Sequence, residues 1–416
     1  MIKFVFLSLY YASMLNCSIT KKTNERYHKY NDMIHWGKAH NLTSSKIALN
    51  FSLNSEKYLA IDNIEKDELI MSIPKELFIT FNKTYKLSSK KDKKLWKALN
   101  ASKSEVFMGP EIKQQSFIAF IQEKAYRHKN GKFYQYYKPY LEFINDNLDN
   151  FPVFYSDEEL QLIQKTHLGR IAIKAKESIQ EEYDFITSTL SGDSIIDTYM
   201  LFRVLTETQT QKGINETLVI PFLPLFTRHP RIYNVYEEID KTSGSLLIRA
   251  KNSIHQGDVL TMQSHLGDNT ANLLYYGVTY ENIKKTYYPM LLLSEEIRNE
   301  IKYSKKLASK VIDIAKDNYL SECIQDHKNI TKELYNDDSI VKGLHLLNRN
   351  LESYLDKYKT FKSSDLYKVF LLNQNRKNVE RVVLEEKALI AKRIKEVKNE
   401  IRKKELENQK SLNNDL

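Results

Sequence analysis

SFIAFIQEKAYRHKNGKFYQYYKPYLEFINDNLDNFPVFYSDEELQLI, residues 116–163, is helical in pattern yet lies between stretches that read as strand. Phe117, Phe120, Ile121, Lys124 and Ala125 fall at helix-compatible spacing, and Ser156 is followed by Asp157, Glu158 and Glu159, a helix cap with acids in the first turn. A helical block inside a β region decides the class of the fold, because it means that one β domain is split in the sequence.

Working outward, residues 47–80 alternate short β-prone runs with turns: KIALNFSL, KYLAIDNI and ELIMSIP, closing at Pro74, a small antiparallel strand set. Helical periodicity extends from about Tyr85 to Thr210. Strands return from Leu218 to Val278, where SLLIRAKNSIHQGDVLTM gives a strand, a turn at Gly257 and another strand. Beyond Tyr288 the pattern is helical to Glu407, and Val379, Val383, Ile390, Ile394, Val397 and Ile401 form one stripe, as in a helix docked on its neighbours. The expected class is α+β, a β core split by a helical insert and followed by an all-α domain.

With 416 residues the chain exceeds what one core usually organises, which predicts two units. A hydrophobic fraction of 42% and an aromatic fraction of 11% suffice for packed cores and exclude wholesale disorder. The net charge of +10 raises nucleic acid as a partner, but the lysines are scattered beside nearly as many acids and no aromatic-basic module appears, so no specific nucleic-acid partner is expected. Cys17 and Cys323 are the only cysteines, too few for a disulfide framework or a cysteine zinc site. The motifs G-x-S-x-G, H-E-x-x-H and G-x-x-x-x-G-K-S/T are absent, and the ten histidines are scattered, so no metal site is expected.

At the start, Lys3 precedes an apolar run from Phe4 to Leu15, too short to span a bilayer as a mature helix. Residues 1–18 read as a signal peptide and 19–31 as a basic leader poor in acids, which points to the secretory pathway or an organelle, or to the cytoplasm if the signal is not used. No transmembrane helix is expected in the mature chain. Sequons at Asn41, Asn50, Asn82, Asn100, Asn215 and Asn329 are glycosylation candidates for a lumenal protein.

Collinear stretches along the chain resemble one family. YLAIDNIEKDELIMSIPKELFIT looks like the strand pair that opens the SET methyltransferase domain; WKALN with the 116–163 stretch looks like the helical insert of the branch holding the Rubisco large-subunit and actin-histidine methyltransferases; LVIPFLPLFTRHP and GDVLTMQSHLGDNTANLLYYGV resemble that branch's "LVPLADMFNHS" and "GEEVFISYGNKSNAELLLHYGF". The resemblance covers nearly everything after Asp32. It implies an N-terminal SET part at 32–84, a helical insert at 85–215, a C-terminal SET part at 216–288 and a helical substrate-binding-like domain at 289–416. It also implies a protein substrate or partner in a groove between SET core and C-terminal helices, and S-adenosylmethionine as cofactor if the chain is active.

Methyl transfer from a sulfonium is mostly positioning and dehydration, and the family uses four positioning devices. Its G-x-G, where missing side chains let backbone approach the cofactor, reads Ser55-Glu56-Lys57 here. The arginine that pairs with the cofactor carboxylate would fall within Thr206 to Thr208, with Arg203 one turn earlier. The Asn-His pair falls on Thr227 and Arg228, or brings His229 to the histidine place if the register slides by one. The catalytic tyrosine falls on Ser264, beside His265. Asn269 and the Tyr276-Gly277-Val278 ending are retained. Four losses at roughly 1–3 kcal/mol each would move a micromolar cofactor site to millimolar or weaker. The expectation is a SET-fold protein with a degraded cofactor site and a retained protein-binding role; the alternative is a divergent but active lysine or histidine N-methyltransferase in which Asn269, Tyr276 and His265 or Tyr275 carry the roles.

Overall fold

The computed structural model describes residues 24–52, 55–104, 107, 109–144, 150–190, 195–209, 218–264, 266, 269–281, 340–359, 361–370 and 373–414. The signal peptide expected at 1–18, both cysteines, His265, Asn215 and Asn329 lie outside them. Contacts divide the chain into two units, Met1–Leu148 with Lys176–His265, and Asp149–Ala175 with Leu266–Leu416.

The first unit is built on a six-stranded sheet, β1-β4-β9-β8-β10-β7, from β1 (Thr43–Ser44), β4 (Leu69–Ile73), β7 (Thr227–His229), β8 (Val235–Ile239), β9 (Leu246–Ala250) and β10 (Thr261–Gln263). In β9, Leu246, Ile248 and Ala250 are buried while Leu247 and Arg249 are half-exposed, the period of two that lets one face pack and the other meet water. The three runs read as one strand set at 47–80 divide. β2 (Ile47–Ser52) and β3 (Ser55–Ala60) pair along all six residues, whereas β4 leaves to pair with β1 and, through a bulge between Leu69 and Met71, with β9. β5 (Ile79–Thr80) and β6 (Leu218–Val219) pair antiparallel and close the β domain across the insert.

Residues 24–31, the end of the expected basic leader, form the first turns of a helix over 24–39, here α1. Its Tyr30 and Met33 are buried and share a face with Arg26 and Gly37, at helical spacing. The insert contributes α2 (Phe81–Leu87), α3 (Lys90–Ala101), α4 (Pro110–His128) and α5 (Gly131–Phe143). In α4, nine consecutive residues from Gln115 to Glu123 are buried, with Phe117 to Ile121 apolar between polar Gln115, Ser116, Gln122 and Glu123, so the middle of this helix is enclosed on every side.

The second unit holds α6 (Asp157–Ile163), whose N-terminus is the capping box legible in the sequence: Ser156 Oγ accepts from Glu159 N at 3.2 Å and Glu159 Oε2 accepts from Ser156 N at 2.8 Å. The unit boundary then falls within α7 (His167–Leu190); α8 (Ile196–Gln209) belongs to the first unit. The expected strands do not run to Val278: they end at Gln263, and Asn269–Tyr276 is a helix, α9. Leu273 and Gly277 lie on one turn of it, and Gly277, at φ 65, donates its N–H to the Leu273 carbonyl, the left-handed C-cap that ends a helix rather than a strand. The remaining helices are α10 (Ile340–Lys359), α11 (Ser363–Val369) and α12 (Asn373–Asn414). All six stripe residues, from Val379 to Ile401, are buried in one cluster with Leu160, Leu168, Leu273, Leu351, Leu366 and Phe370, each such side chain contributing roughly 1.5–3 kcal/mol.

Candidate functional site

Ser55 and Lys57 lie in regular strand, paired across the β2–β3 hairpin with Ser52 and Asn50. The residue between them is the one with a strong partner. Arg26 on α1 donates from Nε and Nη2 to the two carboxylate oxygens of Glu56 at 2.6 and 2.7 Å, from Nη1 to the Phe143 carbonyl at 2.6 Å, and lies 4.4 Å from the Phe143 ring centre. This forked pair fixes the middle of the Ser55–Lys57 segment. Sequence reasoning missed it, because a partner 30 residues away has no periodic signature.

β7 and β10 run parallel, with Arg228 opposite Met262 and His229 opposite Gln263. This register brings Thr227, Arg228 and Ser264 to one corner of the sheet. Thr227 Oγ1 is buried with no hydrogen-bond partner among the described residues. Arg228 donates to the Gln263 carbonyl at 3.2 Å and faces Glu237 at 3.9 Å. His229 accepts two backbone N–H bonds on Nδ1, from Arg231 at 3.1 Å and Ile232 at 2.9 Å, and burial, with the charge of Arg231, holds its pKa below the usual value. Its ring orders the turn that follows β7. Ser264 is buried, its N–H bonded to the His229 carbonyl at 3.0 Å.

Arg203, on α8, is buried and faces into the insert. Its Nε donates to Glu182 Oε2 at 2.9 Å and its Nη2 to Oε1 at 3.3 Å, while Ser116 Oγ and the Tyr199 hydroxyl donate to Oε2 at 2.8 and 3.0 Å. Thr206, on the next turn, accepts from Gln122 Nε2 at 3.1 Å. The Arg203 guanidinium is thus committed to a buried carboxylate.

In the second unit Asn269 is buried and acts as a clasp: its Oδ1 accepts from Tyr280 N and its Nδ2 donates to Tyr280 O, both at 2.8 Å, and Nδ2 also reaches Glu385 at 2.8 Å. Tyr276 is half-buried at the last position of α9. Next to Glu385 on α12, Glu386 is fully enclosed and accepts from Leu168 N at 3.2 Å, Thr270 Oγ1 at 3.0 Å and the Tyr358 hydroxyl at 2.7 Å, which in turn accepts from His167 N at 2.9 Å. Burial pushes its carboxyl up to about 7. Among the described residues no group of three His, Cys, Asp or Glu side chains could hold a metal ion, and no helix is long and apolar enough to cross a membrane.

No family model matches the chain, and no curated relative does. Solved structures do match in fold. The SET domain of LSMT bound to lysine and AdoHcy superposes with a TM-score of 0.64 at 14% identity, covering 92% of each chain. Rubisco LSMT bound to sinefungin and monomethyllysine gives 0.60 at 14% identity over 91% of this chain and 92% of that one, and Rubisco LSMT bound to AdoMet gives 0.61 at 12% identity over 87% and 91%. The chain therefore carries the fold of these SET-domain structures, a mixed α and β fold with a helical C-terminal part.

Proposed function

We propose that this chain is a SET-fold protein that binds a protein partner and has lost the S-adenosylmethionine site of its structural neighbours. The observation that carries the reading is the commitment of Arg203 to Glu182, which leaves the nearest guanidinium to the carboxylate-pairing position engaged elsewhere. Two further features support it: the strand at Ser55–Lys57 pinned by Arg26 through Glu56, and a strand 261–263 followed by Ser264 without a tyrosine. A serine hydroxyl is too short for the role of the family's tyrosine. The residues do not fit the cofactor, and no methyl-transfer step is derived for them.

The scaffold-only reading predicts that calorimetric titration with S-adenosylmethionine gives no binding tighter than about millimolar, the sum of contacts missing at roughly 1–3 kcal/mol apiece. Micromolar binding, or transfer of labelled methyl to protein in a lysate, would overturn it in favour of a divergent lysine or histidine methyltransferase.

A further inference from the structure

The scatter of lysines along the chain has one exception. Residues 83–97 hold seven lysines, Lys83, Lys86, Lys90, Lys91, Lys93, Lys94 and Lys97, against one acid, Asp92, so fifteen residues carry +6 of the chain's net +10. The structure sorts these charges. Asp92 is turned inward, buried in the capping box with Ser89 and bonded to Lys124 Nζ at 2.5 Å, and so neutralises none of its neighbours on the surface. Lys83 donates to the Glu76 carbonyl under the rings of Tyr136 and Tyr137 and leaves the surface row. Lys90, Lys93, Lys94 and Lys97 are spaced i, i+3, i+4 and i+7 on α3 and share the face opposite the buried Leu95 and Leu99. Lys86, Lys90, Lys91, Lys94 and Lys97 are exposed, and among the described residues none has an acid at ion-pair distance.

Like charges at these spacings weaken a helix, and no acid alternates with them to relieve it. A charged ridge of this kind is complementary to an opposite one. We infer that the outer face of α3 is a docking ridge for an acidic helical segment of a partner protein. The geometry favours that occupant. The row is one helix wide and about 10 Å long, seven residues at about 1.5 Å each, which matches a second helix with Glu or Asp at the same spacing. It carries lysines only, with no arginine fork for phosphate, and Trp96, the aromatic of α3, packs 4.2 Å from the Phe81 ring instead of standing free to stack on bases. Its apolar side is already buried in the insert, so it has nothing to insert into a bilayer. The inference is independent of whether the cofactor site survives.

The test uses the full chain and four probes at low ionic strength: a synthetic helical peptide with Glu at i, i+3, i+4 and i+7, a scrambled peptide of the same composition, polyuridylate, and phosphatidylserine vesicles. The ordered peptide binds tighter than the scrambled one, binding fades with salt, and the Lys90→Glu/Lys94→Glu/Lys97→Glu chain loses about tenfold or more in affinity. The same charge change at the exposed Lys38, Lys66 and Lys241 leaves binding within about twofold, since these lie outside the ridge. The Lys→Gln triple, which removes charge without reversing it, gives an intermediate loss. Circular dichroism guards against misfolding, and the Glu variants should be no less helical, because they relieve repulsion. Equal binding of ordered and scrambled peptides, equal loss in the control triple, or tighter capture of polyuridylate or vesicles than of the ordered peptide would overturn the inference.

Discussion

Two buried glutamates hold their parts of the molecule together by different means. In the first unit Glu182 receives the Arg203 guanidinium and two hydroxyls, so its charge meets a countercharge. In the second unit Glu386 receives two hydroxyls and a backbone N–H, all neutral, and burial lifts its carboxyl to about 7. A compensated carboxylate is a strut, and it consumes the cation that compensates it; a carboxylate held by neutral donors is joined to the proton concentration. In the first arrangement the consumed cation is Arg203.

The largest expected effect breaks the first network. Arg203→Met leaves Glu182 buried without its cation and should cost about 3–5 kcal/mol in urea unfolding of the whole chain. Adding Glu182→Leu should recover most of that loss, since replacing both partners of a buried pair with apolar groups is often close to neutral. A loss under about 1 kcal/mol for the single variant would mean that the pair is not a strut, and Arg203 would be free for another role.

That pair also marks the limit of what the sequence made legible. Local devices are readable: the Ser156–Glu159 capping box, the α12 stripe and the turn at Gly257 each rest on spacings of one or two turns between neighbouring residues, where spacing reports geometry. Long-range choices are not. Nothing in ELIMSIP says that β4 will leave its sequence neighbours for β9, some 180 residues on, because strand partners are set by packing and not by pattern. The helix at Asn269–Tyr276 reads as strand in the sequence, since eight residues are too few to separate a helical from an extended apolar run. Glu386 did leave a trace. The apolar stripe skips from Val383 to Ile390, and Glu386 occupies the position between them on the same face. An acid in an apolar stripe is a recognisable sign of a buried polar network.

The next effects sharpen the comparison through pH. The Glu386 carboxyl is raised from 4.5 to about 7, so between these values the folded chain holds a proton that the unfolded chain has released. Its contribution is greatest below 4.5 and is lost as pH rises through 7, by about 3 kcal/mol at about 1.4 kcal/mol per pKa unit. His167 runs the other way. Burial, with the charge of Arg170, lowers it from 6.5 to about 4, so its contribution is full above 6.5 and is lost by a similar amount as pH falls towards 4. Glu386→Gln should leave the His167 slope exposed, with stability rising between pH 4 and 6.5. His167→Gln should leave the Glu386 slope exposed, with stability falling between 4.5 and 7. Thermal melts across that range read both directly, and two variants sloping the same way would refute the assignment.

The smallest expected effect is in the unaltered chain. From pH 4.5 to 6.5 the unfolded state gives up a proton at each residue's ordinary value while the folded state holds Glu386 protonated and His167 neutral, so the two slopes have similar size and opposite sign. Their sum should be close to zero, and the stability of the second unit should change by less than about 1 kcal/mol over those two pH units. Hydrogen exchange at Leu168 and His167, whose amides donate into the network, isolates this local balance from carboxylates elsewhere in the chain. Protection that drifts with pH as steeply as in either single variant would show that one of the two groups does not face the environment assigned to it, and the sign of the drift would name which: a fall with rising pH leaves Glu386 acting alone, and a rise leaves His167.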